Sequence, residues 1–323
     1  CQAGERGKWF EDRQQELLPV EYFHVVFTLP SELGALTLQN KAVIYNLLFR
    51  ATAETLTEVA AGWKDLKAKI GFFAILHTWG QKLDFHPHLH CVVPGGGISL
   101  DGSRWVNCPR GFLMPVKLLS RKFRGKFLAL LKESHQRGEL TLAGSLTPYG
   151  SQAAFKAWLS PLYTKEWVVY AKPPWNGPQN VLKYLARYTH RVAIANERLL
   201  SIDGGQVTFS YKDYRHGHRR RRLTLSAHEF MRRFMMHVLP SGFMRIRYYG
   251  FLANAHRSEQ LSKIRKLLNV PEPESTDQHD SPEPEQDPAL DQCPHCQGPM
   301  RLIELAARPT VPQILALPLM VPM

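Results

Sequence analysis

Residues 86–97 read His-Pro-His-Leu-His-Cys-Val-Val-Pro-Gly-Gly-Gly, and no other stretch restricts the possible folds of this chain as strongly. An apolar run that ends in glycines is strand-like, and successive side chains of a strand project from opposite faces. His86, His88 and His90 therefore share one face, and Leu89 and Cys91 the other. Neutral imidazoles gathered on one face of a sheet can converge on a single ion. A row of hydrogen-bonded surface histidines has the same spacing, so the triplet alone leaves both readings open.

A second stretch bears on the choice. Residues 177–191 read Gly-Pro-Gln-Asn-Val-Leu-Lys-Tyr-Leu-Ala-Arg-Tyr-Thr-His-Arg. Pro178 suits a first helical position, and Leu182, Leu185 and Ala186 supply an apolar stripe, which predicts a helix. Tyr184 and Tyr188, four apart, share one face of it, and Lys183, Arg187 and Arg191 repeat at the same interval as a cationic row. Core packing would explain the tyrosines by themselves. Beside a histidine strand, two phenols and a row of cations are the parts needed to cleave a nucleic-acid strand through a phosphotyrosine.

At this point the chain resembles a known family, the two-tyrosine HUH transposases of rolling-circle insertion sequences (the IS ninety-one type). The His-hydrophobic-His signature is matched by His88-Leu89-His90, and the Tyr-x-x-x-Tyr pair by Tyr184 and Tyr188. Similar flanks occur at Leu18-Pro19-Val20-Glu21-Tyr22-Phe23-His24-Val25-Val26-Phe27-Thr28-Leu29-Pro30, at Tyr211-Lys212-Asp213-Tyr214-Arg215 and at His237-Val238-Leu239-Pro240, so the likeness extends over residues 8–268. It implies an α+β fold: an HUH endonuclease core of ferredoxin-like or RRM-like type, with further α/β elements toward the C-terminus. Its antiparallel sheet would carry the histidine pair on a central strand, with the tyrosine helix packed on it. It implies a DNA transposase, a single-strand endonuclease and strand transferase that works through 5′-phosphotyrosine intermediates at insertion-sequence ends and target. His88 and His90 would hold Mg²⁺ or Mn²⁺, with His86 a further candidate on the same face. The third protein ligand is left among Gln81, Asp84, His86 and His190. A bacterial cytoplasmic, nucleoid-associated location is expected. Oligomeric state is not legible. The rival readings are a rolling-circle replication initiator or relaxase-type enzyme, a noncatalytic nucleic-acid-binding protein, and a zinc hydrolase. The last is disfavoured because no His-Glu-x-x-His pattern accompanies the histidines.

Charge agrees with a polyanionic partner. Of the 41 Lys and Arg, only Arg301 and Arg308 lie beyond residue 292; of the 28 Asp and Glu, eight lie in 271–292 and one is Glu304. Residues 1–270 thus carry a net charge of +20, against +13 for the whole chain. Arg219, Arg220, Arg221 and Arg222 form the densest cluster, close after Arg215. With Tyr211 and Tyr214 beside them they suit phosphate contact and base stacking. No apolar run has spanning length, so no membrane role is expected.

The cysteines are few. Cys91 reads as a small core residue. Cys293-Pro294-His295-Cys296 is half of a zinc knuckle, with Cys293 and Cys296 as candidate Zn²⁺ ligands that need partners from elsewhere. Residue 1 is Cys rather than Met, and Cys1-Gln2 resembles the end of the cysteine-rich zinc module that precedes the catalytic domain in the family. The expected organisation is a remnant of that module over 1–18 and a catalytic domain over 19–268. An acidic disordered linker over 269–292, rich in Pro, Glu, Asp and Ser, and a tail over 293–323 with the partial knuckle complete it. Strands are predicted over 22–29, 72–79, 86–93 and 167–172, with a sharp turn at Gly95–Gly97 leading into a hairpin over 98–106 around Asp101-Gly102, and a second hairpin over 199–211. Helices are predicted within 31–69 and over 118–134, 227–238 and 259–268.

Overall fold

A computed structural model describes residues 13–172, 193–214 and 216–271. The chain divides into two compact units, residues 1–272 and 273–323, and every described residue lies in the first. The helix expected over 177–191, and with it Tyr184, Tyr188, Lys183, Arg187, His190 and Arg191, lies outside the described residues. So do Arg215, Cys293 and Cys296.

The elements follow the hydrophobic periods of the sequence. Strand β1 (Tyr22–Thr28) leads through α1 (Gly34–Gln39) to α2 (Lys41–Gly62). A two-residue β2 (Ala68–Lys69) precedes the long strands β3 (Phe72–Trp79) and β4 (Phe85–Pro94). A small hairpin, β5 (Gly96–Ser99) and β6 (Trp105–Asn107), is followed by α3 (Val116–Gln136), α4 (Gln152–Thr164) and β7 (Val169–Lys172). Next come β8 (Leu199–Asp203), β9 (Gln206–Asp213) and β10 (Arg219–Ser226), then α5 (Ala227–Met236), β11 (Ile246–Tyr249) and α6 (Arg257–Leu267). Ser226 caps α5 by accepting from the Glu229 amide, a Ser-x-x-Glu start, and Ser151 caps α4 by accepting from Ala154.

The main sheet has the order β11-β3-β4-β1-β7 with every neighbouring pair antiparallel. The fold is thus α+β on an antiparallel sheet, and the histidine strand β4 sits at its centre. Strand alternation divides the residues between two cores. Phe23, Val25 and Phe27 of β1, Phe72, Ala74 and Leu76 of β3, and Leu89, Cys91 and Val93 of β4 face the helices α2, α3 and α4 and form the main core. The thiol of Cys91 lies buried there, where burial raises its pKa. On the opposite face, Tyr22, Phe73, Ile75 and Val92 pack with Phe251, Leu252, Leu261 and Ile264, so the α6 region covers one end of that face. The other end of the same face carries the histidines.

The glycines after β4 act differently from the sharp turn that their sequence suggests. Gly96 and Gly97 lie inside strand β5, and a Cβ on them would come within 2.5 Å of the Val106 carbonyl and 2.6 Å of the Lys69 carbonyl. Only glycine lets β5 sit this close to β6 and β2. The turn of the hairpin falls at Gly102, whose φ is +79°, where Asp101-Gly102 placed it. The sequence reading also missed α4, β10 and β11. Strand β10 is the arginine cluster, whose charge hid a strand of Thr and Leu alternation. Among the described residues no helix is long and apolar enough to cross a membrane.

The stability of this unit rests on the main core rather than on exposed ion pairs such as Lys122–Glu58, which contribute little in water. Phe123 is fully buried, packed edge-on against Phe27 and Trp167. Phe123→Ala should destabilise the protein by about 3–5 kcal/mol. Ile202→Thr on the exposed side of β8 (72% accessible) should change stability by less than about 0.5 kcal/mol. Urea unfolding followed by circular dichroism measures both, and near-equal midpoints for the two variants would contradict this assignment of the core.

Candidate metal centre

The pairing of β3 with β4 builds the site. His77 stands opposite His88 in the antiparallel register, and His90 lies two residues along on the same face. One ring nitrogen from each of His77, His88 and His90 falls within 4.8 Å of the others. The Nε2 atoms of His88 and His90 are 3.0 Å apart. That is about the edge between neighbouring ligands of an octahedral ion with bonds near 2.1 Å. His77 and His90 are enclosed, and His88 keeps some exposure as a residue while its imidazole is buried. His77 ring contacts complete the cluster, with centroids 4.3 Å from His90 and 5.5 Å from His88.

The surroundings fix ring orientation and charge. His88 Nδ1 lies 2.6 Å from the His86 carbonyl and donates to it, which leaves its Nε2 as the lone pair facing the cluster. His90 Nδ1 lies 2.7 Å from His24 Nε2, on the neighbouring strand β1. Burial lowers the pKa of all four rings: His24 and His88 to about 4, and His77 and His90 well below their ordinary value. Neighbouring imidazoles add to the effect on His77 and His90, as does the nearby Arg245 guanidinium on His77. The imidazoles are therefore neutral at pH 7, the state in which a histidine ligates metal. The donor set fits a divalent ion: His77, His88 and His90 would hold it, and among the described residues no carboxylate belongs to the cluster.

The sequence reading placed His86, His88 and His90 on one face, and they are so placed in β4. His86, however, is exposed and outside the three-nitrogen cluster; its ring stands 5.1 Å from that of His88, and its carbonyl is what serves the site. The third ring nitrogen of the cluster belongs to His77, which was not among the candidates. A signal was available: residues 72–79 read as a strand just before the histidine strand, and a short hairpin between them sets His77 across from His88. Of the residues named instead, Asp84 is exposed in the turn, and Gln81 is engaged there, its Oε1 accepting from the Lys212 amide at 3.2 Å.

That turn, residues 80–84, joins the two metal-site strands and is held by a second lobe. Leu83 adopts a left-handed φ of +61° with its side chain fully buried against Trp79, Ala193 and Phe209, a conformation that costs about 1–2 kcal/mol for such a residue. Three successive carbonyls of the turn are gripped: Gln81 by Arg198 Nη2, Lys82 by Arg233 Nη1 at 3.0 Å, and Leu83 by His237 Nε2 at 3.2 Å. These donors come from the β8–β10 sheet region and α5. The same lobe carries the arginine run. Arg219, Arg220, Arg221 and Arg222 are all exposed on β10, but alternation splits them between faces. Arg221 faces the side of Leu223 and Leu225 and pairs with Asp213 at 3.2 Å, whereas Arg220 and Arg222 face the opposite, open side beside Lys212 and Ser210. Tyr211 lies under Lys82 Nζ at 5.0 Å, and the exposed Tyr214 under Lys212 Nζ at 5.4 Å.

His237 gives this clamp a pH signature. It is fully buried between Thr78 Oγ1 at 3.2 Å and the Leu83 carbonyl, and burial lowers its pKa to about 4. The unfolded chain takes up this proton near pH 6.5 and the folded chain only near pH 4. Stability is thus full above pH 6.5 and falls as pH drops, by about 3 kcal/mol from this group once pH reaches 4. His237→Gln keeps both hydrogen bonds without titrating. Its urea midpoint should vary less with pH between 6.5 and 4.5 than that of the wild type, and identical pH slopes would contradict the assignment.

An α+β protein whose central strands hold three neutral imidazoles under a cationic lobe is the class that fold and site define. Comparison with known proteins gives the family. A family profile described as "Putative transposase" (Y2_Tnp) matches residues 71–260, and one described as "Transposase zinc-binding domain" (Zn_Tnp_IS91) matches residues 1–29. The "Putative transposase y4qJ" of Sinorhizobium fredii is 53% identical over 312 residues, covering 94% of this chain and 78% of that protein. The "Transposase for insertion sequence element IS801" of Pseudomonas savastanoi pv. phaseolicola is 27% identical over 290 residues, covering 85% of this chain and 65% of that protein. The chain belongs to the two-tyrosine transposase family of IS91 type, enzymes that act on DNA. Among solved structures, the conjugative relaxase TrwC with oriT DNA aligns at a TM-score of 0.28 and 13% identity in its metal-bound form, over 78% of this chain and 74% of that one. Its metal-free form aligns at 0.27 and 14%, over 77% and 73%. These scores are low, and the assignment rests on the family matches.

Proposed function

We propose that this transposase cleaves and rejoins single-stranded DNA at insertion-sequence ends, using Tyr184 and Tyr188 as nucleophiles beside a divalent ion held by His77, His88 and His90. The observation that carries this reading is the neutral three-imidazole cluster on the central strands, inside the family-matched residues. A bound divalent ion would offset negative charge building on the scissile phosphate. Oxygen ligation of DNA favours Mg²⁺ or Mn²⁺ as that ion, although imidazoles also accept Zn²⁺.

The tyrosines perform the covalent step. The phenol oxygen of Tyr184 or Tyr188 forms a bond to phosphorus, the bond from phosphorus to the 3′ oxygen breaks, and the phenol proton is balanced by protonation of the released 3′-hydroxyl. The phosphotyrosine ester conserves the bond energy, so a 3′-hydroxyl can reverse the step and join strands without a nucleotide cofactor. Two tyrosines allow two strand ends to be held in one cycle. The lobe supplies the strand path: Tyr211 and Tyr214 offer ring faces for bases, and Arg215 and Arg219 to Arg222 offer charge for phosphates. Lys183, Arg187 and Arg191 would add charge beside the nucleophiles. We assign residues 19–268 to the catalytic domain and 1–18 to the end of a zinc module. Residues 269–292 would be a linker and 293–323 a tail in which Cys293 and Cys296 offer half of a Zn²⁺ site. The place of action would be the bacterial cytoplasm, at the nucleoid.

Labelled single-stranded DNA from the element ends, incubated with the full chain and Mn²⁺, should give a covalent adduct mapping to the 184–188 segment. Tyr184→Phe or Tyr188→Phe alone should retain single cleavage, and the double variant should give no adduct while still binding DNA. His77→Ala should reduce cleavage as severely as His88→Ala or His90→Ala, by 100-fold or more on the order expected for loss of a metal ligand. An adduct on another tyrosine, or undiminished cleavage in excess EDTA, would overturn this reading; binding without any adduct would favour a noncatalytic DNA-binding protein.

A further inference from the structure

The face of the main sheet that carries the histidines continues past them toward β7. Register fixes what stands there: Val26 of β1 is opposite His90, and Tyr170 of β7 is opposite Val26. Side chains paired across neighbouring strands lie on one face, so His90, Val26 and Tyr170 form a row across β4, β1 and β7. His24 and Lys172 pair in the next row along. Val169 and Ala171, which alternate with these residues on β7, turn the other way and pack on the main core. Strand β7 is the last of the sheet, so the row ends at the sheet's edge.

This edge leaves apolar surface in water. Val168 is 64% accessible and Tyr170 40%, and Lys172 beside them is exposed too. The outward side of an antiparallel edge ordinarily carries polar residues and charge, which keep it solvated and unpaired. Lys172 meets that need, whereas Val168 and Tyr170 do not. Among the described residues the exposed aromatics are Phe112, Tyr163, Tyr170 and Tyr214, and of these Tyr170 alone stands on the sheet that carries the histidine cluster. Lys172 Nζ rests over the Tyr170 ring at 5.1 Å, and it pairs with no carboxylate among the described residues. A lysine stem is flexible, so this ammonium can leave the ring for a phosphate.

We propose that Tyr170 and Lys172 form a nucleotide subsite beside the histidine cluster: the Tyr170 ring takes the face of a base, and Lys172 the adjoining phosphate, of single-stranded DNA that runs from the cluster across β1 to the sheet's edge. An aromatic face with a cation beside it suits any nucleotide, because every base has a π-face and every nucleotide a phosphate. Two strand spacings, about 10 Å, separate the backbones of His90 and Tyr170. A stacked strand covers that distance with about three nucleotides. The subsite therefore serves a base within that reach of the scissile phosphate, and it is separate from Tyr211 and Tyr214, which belong to the arginine-bearing lobe. The inference rests on the reading of the cluster as the place of cleavage.

The test measures fluorescence anisotropy of labelled single-stranded DNA from the element ends, bound by the full chain in EDTA so that no strand is cut. Tyr170→Ala should bind about 5–100-fold more weakly than the wild type, and Tyr170→Trp within a few-fold of it. An abasic nucleotide moved along the strand then finds the base concerned. At one position, within about three nucleotides of the bond cut in Mn²⁺, it should weaken the wild type about as much as Tyr170→Ala does, and weaken Tyr170→Ala no further. Lys172→Gln should flatten the slope of log affinity against log salt by about 0.7. Wild-type affinity in Tyr170→Ala, equal abasic losses in both proteins at every position, or a slope unchanged by Lys172→Gln overturns the proposal. A tyrosine that merely supports the sheet's edge would give those equal losses. Adduct formation separates the proposal from its premise. Coupling at one position with no adduct in Mn²⁺ supports the subsite and fails the cleavage reading; an adduct without coupling fails the subsite alone.

Discussion

The antiparallel pairing of β3 with β4 is the constraint on which the rest of this protein depends. Its register sets His77 against His88 and leaves His90 two residues along the same face. A slip of one residue would turn every one of these side chains into the helix-side core. That slip is opposed on the other face, where Ala74, Leu76, Leu89, Cys91 and Val93 are buried against α2, α3 and α4. The main core thus holds the histidine cluster in register from the opposite face of the sheet. The histidine cluster occupies the end of that sheet face beyond the residues that the α6 region packs on.

Burial then determines the chemistry. Enclosure lowers the pKa of all four imidazoles, and neighbouring rings lower those of His77, His88 and His90 further, so they stay neutral and able to ligate. The strained turn between the two strands is kept by the cationic lobe, whose Arg198, Arg233 and His237 take three consecutive carbonyls. The lobe that carries the arginine run and the strands that carry the histidines are therefore parts of one hydrogen-bonded assembly. Lys41 ties the lobe to the main unit as well, donating to the Val238 carbonyl at 2.9 Å beyond the end of α5.

Much of this was legible in the sequence because it rests on local periods. The strands β1, β3 and β4, the hairpin β8–β9 and the helices α3, α5 and α6 follow directly from apolar spacing and turn residues. What was not legible depended on pairing between strands. His77 and His24 become parts of the site only when β3 and β1 lie beside β4; the order of the strands pointed toward His77, whereas nothing local marks His24 as a neighbour of His90. Gly96 and Gly97 suggested a turn, whereas close approach to two neighbouring strands is what requires them. The arginine run read as one patch, and its division between two faces appears only once β10 is seen to be a strand.

Anomalous diffraction at the manganese absorption edge, from crystals of the full chain grown with Mn²⁺, tests the central claim most directly. The account predicts one strong peak about 2.1–2.3 Å from a ring nitrogen of each of His77, His88 and His90, with His24 against the far side of His90 and His86 uncoordinated. A chain whose three imidazoles are ordered as described here but show no peak, or a peak ligated by His86 in place of His77, would contradict it.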